Sequence, residues 1–234
     1  MKRLALALLG IGLVLTFVLG NSGPMTLIYP LWIATYLFRD KLEQIFAKFP
    51  GATGFIVAGV AYGMIIEVFV IMDNWHIPPE KQVLFDANPV KDLTFGIFYY
   101  AFVILSWYAL LRKITFSPRA LFLITGLYGL VAEESGQVVM RMLQQPFPGI
   151  VYAIFVMIVY GMFPMLALMV TEKRFPPERK KNHLGWSILA LAILFLQLAI
   201  YGNTIFPWLK NILPASSLTP PKNLAQLLSL LHLG

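Results

Sequence analysis

Two glutamates inside long apolar runs are the residues of this chain best placed to do chemistry. Glu67 stands in "AYGMIIEVF" and Glu133 in "LYGLVAEES", each four residues after a glycine and five after a tyrosine. An ionised carboxylate surrounded by hydrocarbon costs several kcal/mol unless it is protonated, paired or wetted, so intramembrane acids are functional candidates by default. The chemistry open to such a pair is proton donation and acceptance near neutral pH. Glu67 and Glu133 are therefore the catalytic candidates.

Residues four apart share a helix face, which places Gly59, Gly63 and Glu67 in one row and Thr125, Gly129, Glu133 and Gln137 in another. Small residues allow helices to approach closely in membranes, so both rows are expected to face neighbouring helices rather than lipid. Counted at 1.5 Å per residue from the basic end, both acids lie roughly 20–24 Å up. Matching depth is what a shared pocket requires. Polar residues near that level are the binding candidates: Glu134, Gln137 and Arg141 beyond Glu133, Asp73 and His76 beyond Glu67, Tyr99 and Tyr100 on the following run, and Asn203 near the last. Each also has a structural reading. Glu134 and Arg141 could form an interfacial ion pair, and Asp73 and His76 could be solvated loop residues.

The elements that must position these groups are read from composition. Of 234 residues 59% are hydrophobic and 12% charged, about half the charged share of a soluble domain; the mean hydropathy is +0.75. Repeated apolar runs long enough for about 30 Å of hydrocarbon predict an all-α polytopic membrane protein. The net charge of +7 flanks these runs instead of forming a basic face, so no nucleic-acid partner is expected. There is no cysteine, hence no disulfide or thiolate metal site. Absent too are H-E-x-x-H, G-x-S-x-G and G-x-x-x-x-G-K-[ST], which argues against zinc and serine hydrolases and ATPases. No metal and no cofactor is assigned.

Seven spans are expected, at about 4–20, 24–40, 51–72, 93–111, 119–140, 149–171 and 185–206. The second is the weakest, interrupted by Pro24 and Pro30. Thirteen of the 18 basic residues fall in one set of connections, which the positive-inside rule makes cytoplasmic, with the N-terminus in and the C-terminus outside. Three regions follow: an N-terminal membrane hairpin (1–50), a core bundle (51–206) and an outer interfacial tail (207–234). The start resembles a signal peptide but lacks an A-x-A site, and a retained first helix is expected. A bacterial or archaeal cytoplasmic membrane is the expected location.

The two Tyr-Gly-x-x-x-Glu segments, and "WYALLRKITFSP" beside "MLALMVTEKRFPP", point to two parallel hairpins, 51–111 and 117–171, related by duplication. "YGMIIEVF" and "YGLVAEES" also resemble helix segments of membrane carotenoid-pathway hydratases and cyclases, in which acids follow glycine. That resemblance covers two short segments, the longer motifs around the outer loop are not seen in 73–92, and no family is assigned on it. Three functions remain open. One is binding or acting on a lipid or isoprenoid through an outward-facing acidic pocket. The second is proton- or cation-coupled transport. The third is a non-catalytic subunit of a larger membrane complex, with homo-oligomers or fixed partners.

Overall fold

The structure, a computed structural model, describes residues 2–78 and 82–213. In chain order its helices are α1 (Lys2–Val18), α2 (Ile28–Leu37), α3 (Arg39–Phe46), α4 (Thr53–Asn74), α5 (Pro89–Leu111), α6 (Pro118–Ala132), α7 (Gln137–Gln144), α8 (Pro146–Thr171), α9 (Leu184–Ile200) and α10 (Phe206–Ile212). A membrane offers backbone groups no water, so apolar segments satisfy them internally as helices. This is an all-α membrane protein. Among the described residues the one extended pairing is a two-residue parallel bridge between β1 (Ile114–Thr115) and β2 (Lys180–Lys181).

Among the described residues four helical segments, not seven, are long and apolar enough to cross a membrane: Thr53–Asn74, Pro89–Leu111, Pro146–Arg174 and Leu184–Ile212. Three expected spans, 4–20, 24–40 and 119–140, are not among them; the last two are broken by the backbone. The segment 24–40 is broken twice, by a 3-10 turn at Pro24–Leu27 and by Phe38 (φ −100, ψ 16), after which α3 begins. The segment 119–140 ends as a helix at Glu133, whose backbone is extended (φ −68, ψ 129). Gly136 then adopts φ +87, a left-handed conformation that glycine takes at no steric cost and that no α-helix can pass through. Consequently α7 is a separate helix that packs Val138 against Ala153 and Val156 of α8. The first span, α1, is 17 residues, about 26 Å at 1.5 Å per residue. The last runs past 206 to Ile212 through a π-helical turn (Tyr201–Ile205). The interfacial tail expected beyond it lies, from 214 on, outside the described residues.

The core is built where α4, α5, α6 and α8 meet. Trp107 is fully buried; its indole N–H donates to Thr125 Oγ1 at 2.9 Å and its ring meets Phe116 edge-on at 5.3 Å. These contacts tie α5 to α6. Thr35 of α2 donates to the Tyr62 hydroxyl at 3.0 Å, anchoring the N-terminal helices to α4. The basic connections gather at one end, where Lys173 reaches Glu43, Arg174 the Phe49 carbonyl and Arg179 the Leu111 carbonyl.

At the basic end, Glu43 of α3 accepts from Lys173 Nζ at 2.7 Å and from Arg39 Nε at 2.9 Å. Burial works against the Glu43 charge, but the hydrogen bonds from Lys173 and Arg39 outweigh it and hold the carboxyl below its ordinary value. A carboxyl lowered in the folded state adds stability above its unfolded pKa, about 4.3, and loses it as pH falls through the folded value. We expect Glu43→Gln to cost up to about 1 kcal/mol at pH 7 and progressively less as pH falls below the unfolded value and through the lowered folded one. Thermal unfolding in detergent as a function of pH measures this; a difference that does not shrink on acidification would disprove the pairing.

Candidate functional site

The site begins with a missing side chain. A Cβ placed on Gly63 of α4 would lie 2.5 Å from ring carbons of Tyr100, so the tyrosine of α5 lies flat across the helix there and nothing but glycine admits it. One turn further along, the Tyr100 hydroxyl donates to Glu67 Oε2 at 2.5 Å. The second half repeats the device. A Cβ on Gly129 of α6 would lie 2.5 Å from Tyr160 Cγ, and the Tyr160 hydroxyl donates to Glu133 Oε2 at 2.6 Å. Each glycine of the sequence echo is thus the seat of a tyrosine from the next spanning helix, and each glutamate is the acceptor of that tyrosine's proton.

Further phenols fill the space between the two acids. The Tyr99 and Tyr128 hydroxyls are 2.9 Å apart. The Tyr99 ring meets Tyr100 at 5.5 Å, Tyr160 at 6.5 Å and Tyr201 at 5.5 Å between centroids, all near-perpendicular, the edge-to-face packing aromatic quadrupoles prefer. Tyr201 sits in the π-helical turn and donates to the Phe95 carbonyl at 2.8 Å. Pro164 inside α8 lacks the N–H that would have bonded the Tyr160 carbonyl, a local loosening of the helix at the site.

Asp92, fully buried near the start of α5, was not among the expected site residues. Its Oδ1 accepts the backbone N–H of Phe85 at 2.7 Å and of Asp86 at 3.2 Å, and its carboxyl stands beside that of Glu67. Its Oδ2 is buried and has no hydrogen-bond partner. Asp92 therefore stands between the acid of α4 and the loop above it. The signal was available: Asp92 lies four residues before Gly96 and eight before Tyr100, on the α5 face that meets Glu67.

These groups open on a cavity of about 620 Å³ between α4, α5 and α8, with Glu133 at the end of α6 on its wall. Loop residues 82–85 lie over it, held by Asp92 and by Asn74, whose Oδ1 accepts Val83 N–H at 3.1 Å. Of the expected residues, Glu67, Glu133, Asp73, Tyr99 and Tyr100 line this space. Asp73 lines it at the rim, where it is largely exposed and accepts the Met25 backbone N–H, fixing the Pro24–Leu27 turn. Four expected residues do not line it. Gln137 is exposed because the break at Gly136 takes it off the Glu133 row. Arg141 belongs to the same displaced helix and lies over the Tyr152 ring, 5.0 Å from its centroid. His76 is exposed, and Asn203 is exposed with its amide spent on the Ala199 carbonyl at 2.9 Å. The Glu134 side chain lies outside what the structure describes. Among the described residues no group of three or more His, Asp or Glu is placed to hold a metal ion.

A space of this size, mostly apolar with a few convergent polar groups, has the form of a small-molecule site. Compared with known proteins, the chain matches no protein family, no curated protein and no solved structure. What it belongs to is defined by architecture: helical membrane proteins with acids buried between spanning helices.

Proposed function

We propose that the protein binds a lipid- or isoprenoid-like molecule in the cavity between α4, α5 and α8, with Glu67 and Glu133 exchanging protons at its walls. One observation carries this reading: two glutamate–tyrosine pairs from separate helices open on one space large enough for such a ligand. With the basic connections cytoplasmic by the positive-inside rule, the cavity opens toward the outer face. The test is native mass spectrometry of the protein released from its own membranes. Wild type is expected to retain a ligand of about one copy per chain, and Val159→Trp, which fills the wall between the acids, is expected to lose it. Identical adducts in both proteins would defeat the reading.

A second reading, proton- or cation-coupled transport, is favoured by the repeated Gly63–Tyr100–Glu67 and Gly129–Tyr160–Glu133 units, since duplicated hairpins flanking a site recur in transporters. It requires that Glu67→Gln and Glu133→Gln abolish uptake driven by a pH gradient in proteoliposomes; unchanged uptake excludes it.

A further inference from the structure

Resting on the reading that the cavity holds a membrane-soluble molecule, we propose that the molecule is a cation: an amphipathic amine, quaternary ammonium or like organic monocation. Among the described residues the lining is an unbalanced set of polar groups. Its carboxyl groups are those of Glu67, Asp73 and Glu133, and none of the described lining residues is Lys, Arg or His. An anionic head such as a phosphate or carboxylate would be placed among like charges in a low dielectric, where repulsion is strongest.

The donors tell the same story. Tyr100 and Tyr160 spend their hydroxyl protons on Glu67 and Glu133, and the Tyr99 hydroxyl is engaged with Tyr128. The Asn74 amide donates to the Val70 carbonyl at 2.9 Å, and the Gln82 amide to the Asn74 and Ile77 carbonyls at 3.2 and 2.9 Å. On the acceptor side, Gln82 Oε1 is buried and receives no hydrogen bond. A buried polar atom without a partner is costly and calls for an explanation. The cavity thus presents acceptors and has committed its donors elsewhere. It suits a guest that brings positive charge or N–H groups of its own.

The apolar part of the wall points the same way. Tyr99, Tyr100, Tyr152, Tyr160, Phe85 and Phe163 line it, and the faces of such rings attract cations, most strongly when water is excluded. The molecule already contains one example, in the Arg141 guanidinium over Tyr152. Carboxylates with aromatic faces recognise a soft organic cation by charge and shape together, whereas a neutral alcohol would be accommodated without being selected.

The experiment uses the full chain in phosphatidylcholine nanodiscs and radiolabelled tetraphenylphosphonium, with empty nanodiscs subtracted. Saturable binding near one per chain is expected, displaced by dodecyltrimethylammonium and not by dodecanol or dodecanoate. Glu67→Gln should bind at least about tenfold more weakly, the loss of one partly shielded charge contact. Val159→Trp should abolish binding by occupying the space, and it keeps the test valid if Glu67→Gln fails to fold. If the cation does not bind while radiolabelled geranylgeraniol saturates a Val159→Trp-sensitive site, the charge assignment is overturned and the cavity reading stands. If neither probe binds, both fall. Cation binding that is indifferent to Glu67→Gln also overturns the assignment.

Discussion

Replacing Asp92 by alanine is expected to destabilise the protein by about 2–5 kcal/mol, while Asp92→Asn is expected to stay within about 1 kcal/mol of wild type. The alanine variant removes the acceptor of two buried backbone N–H groups, those of Phe85 and Asp86, and an orphaned buried donor costs about 1–3 kcal/mol. The asparagine variant keeps this clasp, because its Oδ1 still accepts from the loop. Loop residues 82–88 should open in the alanine variant. Hydrogen exchange at Phe85 and Asp86 then reports the opening directly, and thermal unfolding reports its cost. Equal behaviour of the two variants would mean that Asp92 fills space and does not clasp the loop.

The consequence for function lies in the linkage. Because one carboxyl group touches both Glu67 and the loop that covers the cavity, the charge carried by the acid pair and the closure of the site act through the same atoms. This is a reason for two acids to stand together at a depth where each alone would be costly.

Glu67 and Glu133 were legible in the sequence because an acid inside an apolar run is a local and rare event. Their tyrosine partners were legible unequally. Tyr100 stood at the outer entrance of its span, whereas Tyr160, in "IVYGMFP", is one aromatic among many, and its role depends on Gly129 of another helix. Asp92 read as the last acid of an outer loop, since nothing local distinguishes a solvated boundary residue from one folded back onto α4. Hydropathy located α4, α5, α8 and α9 because a sum over 20 residues is insensitive to any one of them. The same insensitivity hid the breaks at Phe38 and Gly136, each made by the backbone of a single residue. The four-residue rule then carried Gln137 into the site along a helix that had already ended at Ala132. His76 and Asn203 are exposed and do not line the cavity, and sequence position does not encode facing outside a continuous helix.

Gly129→Ala is expected to cost about 2–5 kcal/mol, an effect of one methyl group. The added carbon would stand 2.5 Å from Tyr160 Cγ and 2.6 Å from its Cβ. Neither atom is the free end of a flexible chain, so the whole ring must retreat. Retreat takes its hydroxyl from Glu133, and the loss of a bond to a charged group adds to the strain. The same argument holds at Gly63, where Tyr100 occupies the seat and Glu67 loses its donor. Gly12→Ala on α1, where nothing lies within 4 Å of the new carbon, should be neutral or stabilising by up to about 1 kcal/mol, since alanine is the better helix former. Combining Gly129→Ala with Tyr160→Ala should cost less than the two changes summed, by about 1 kcal/mol or more, because removing the ring removes the clash. Unfolding of the single and double variants at both sites decides whether the hairpins are equivalent. Matching couplings at 63/100 and 129/160 would make them two copies of one device; coupling at one site alone would leave the sequence echo without a physical counterpart.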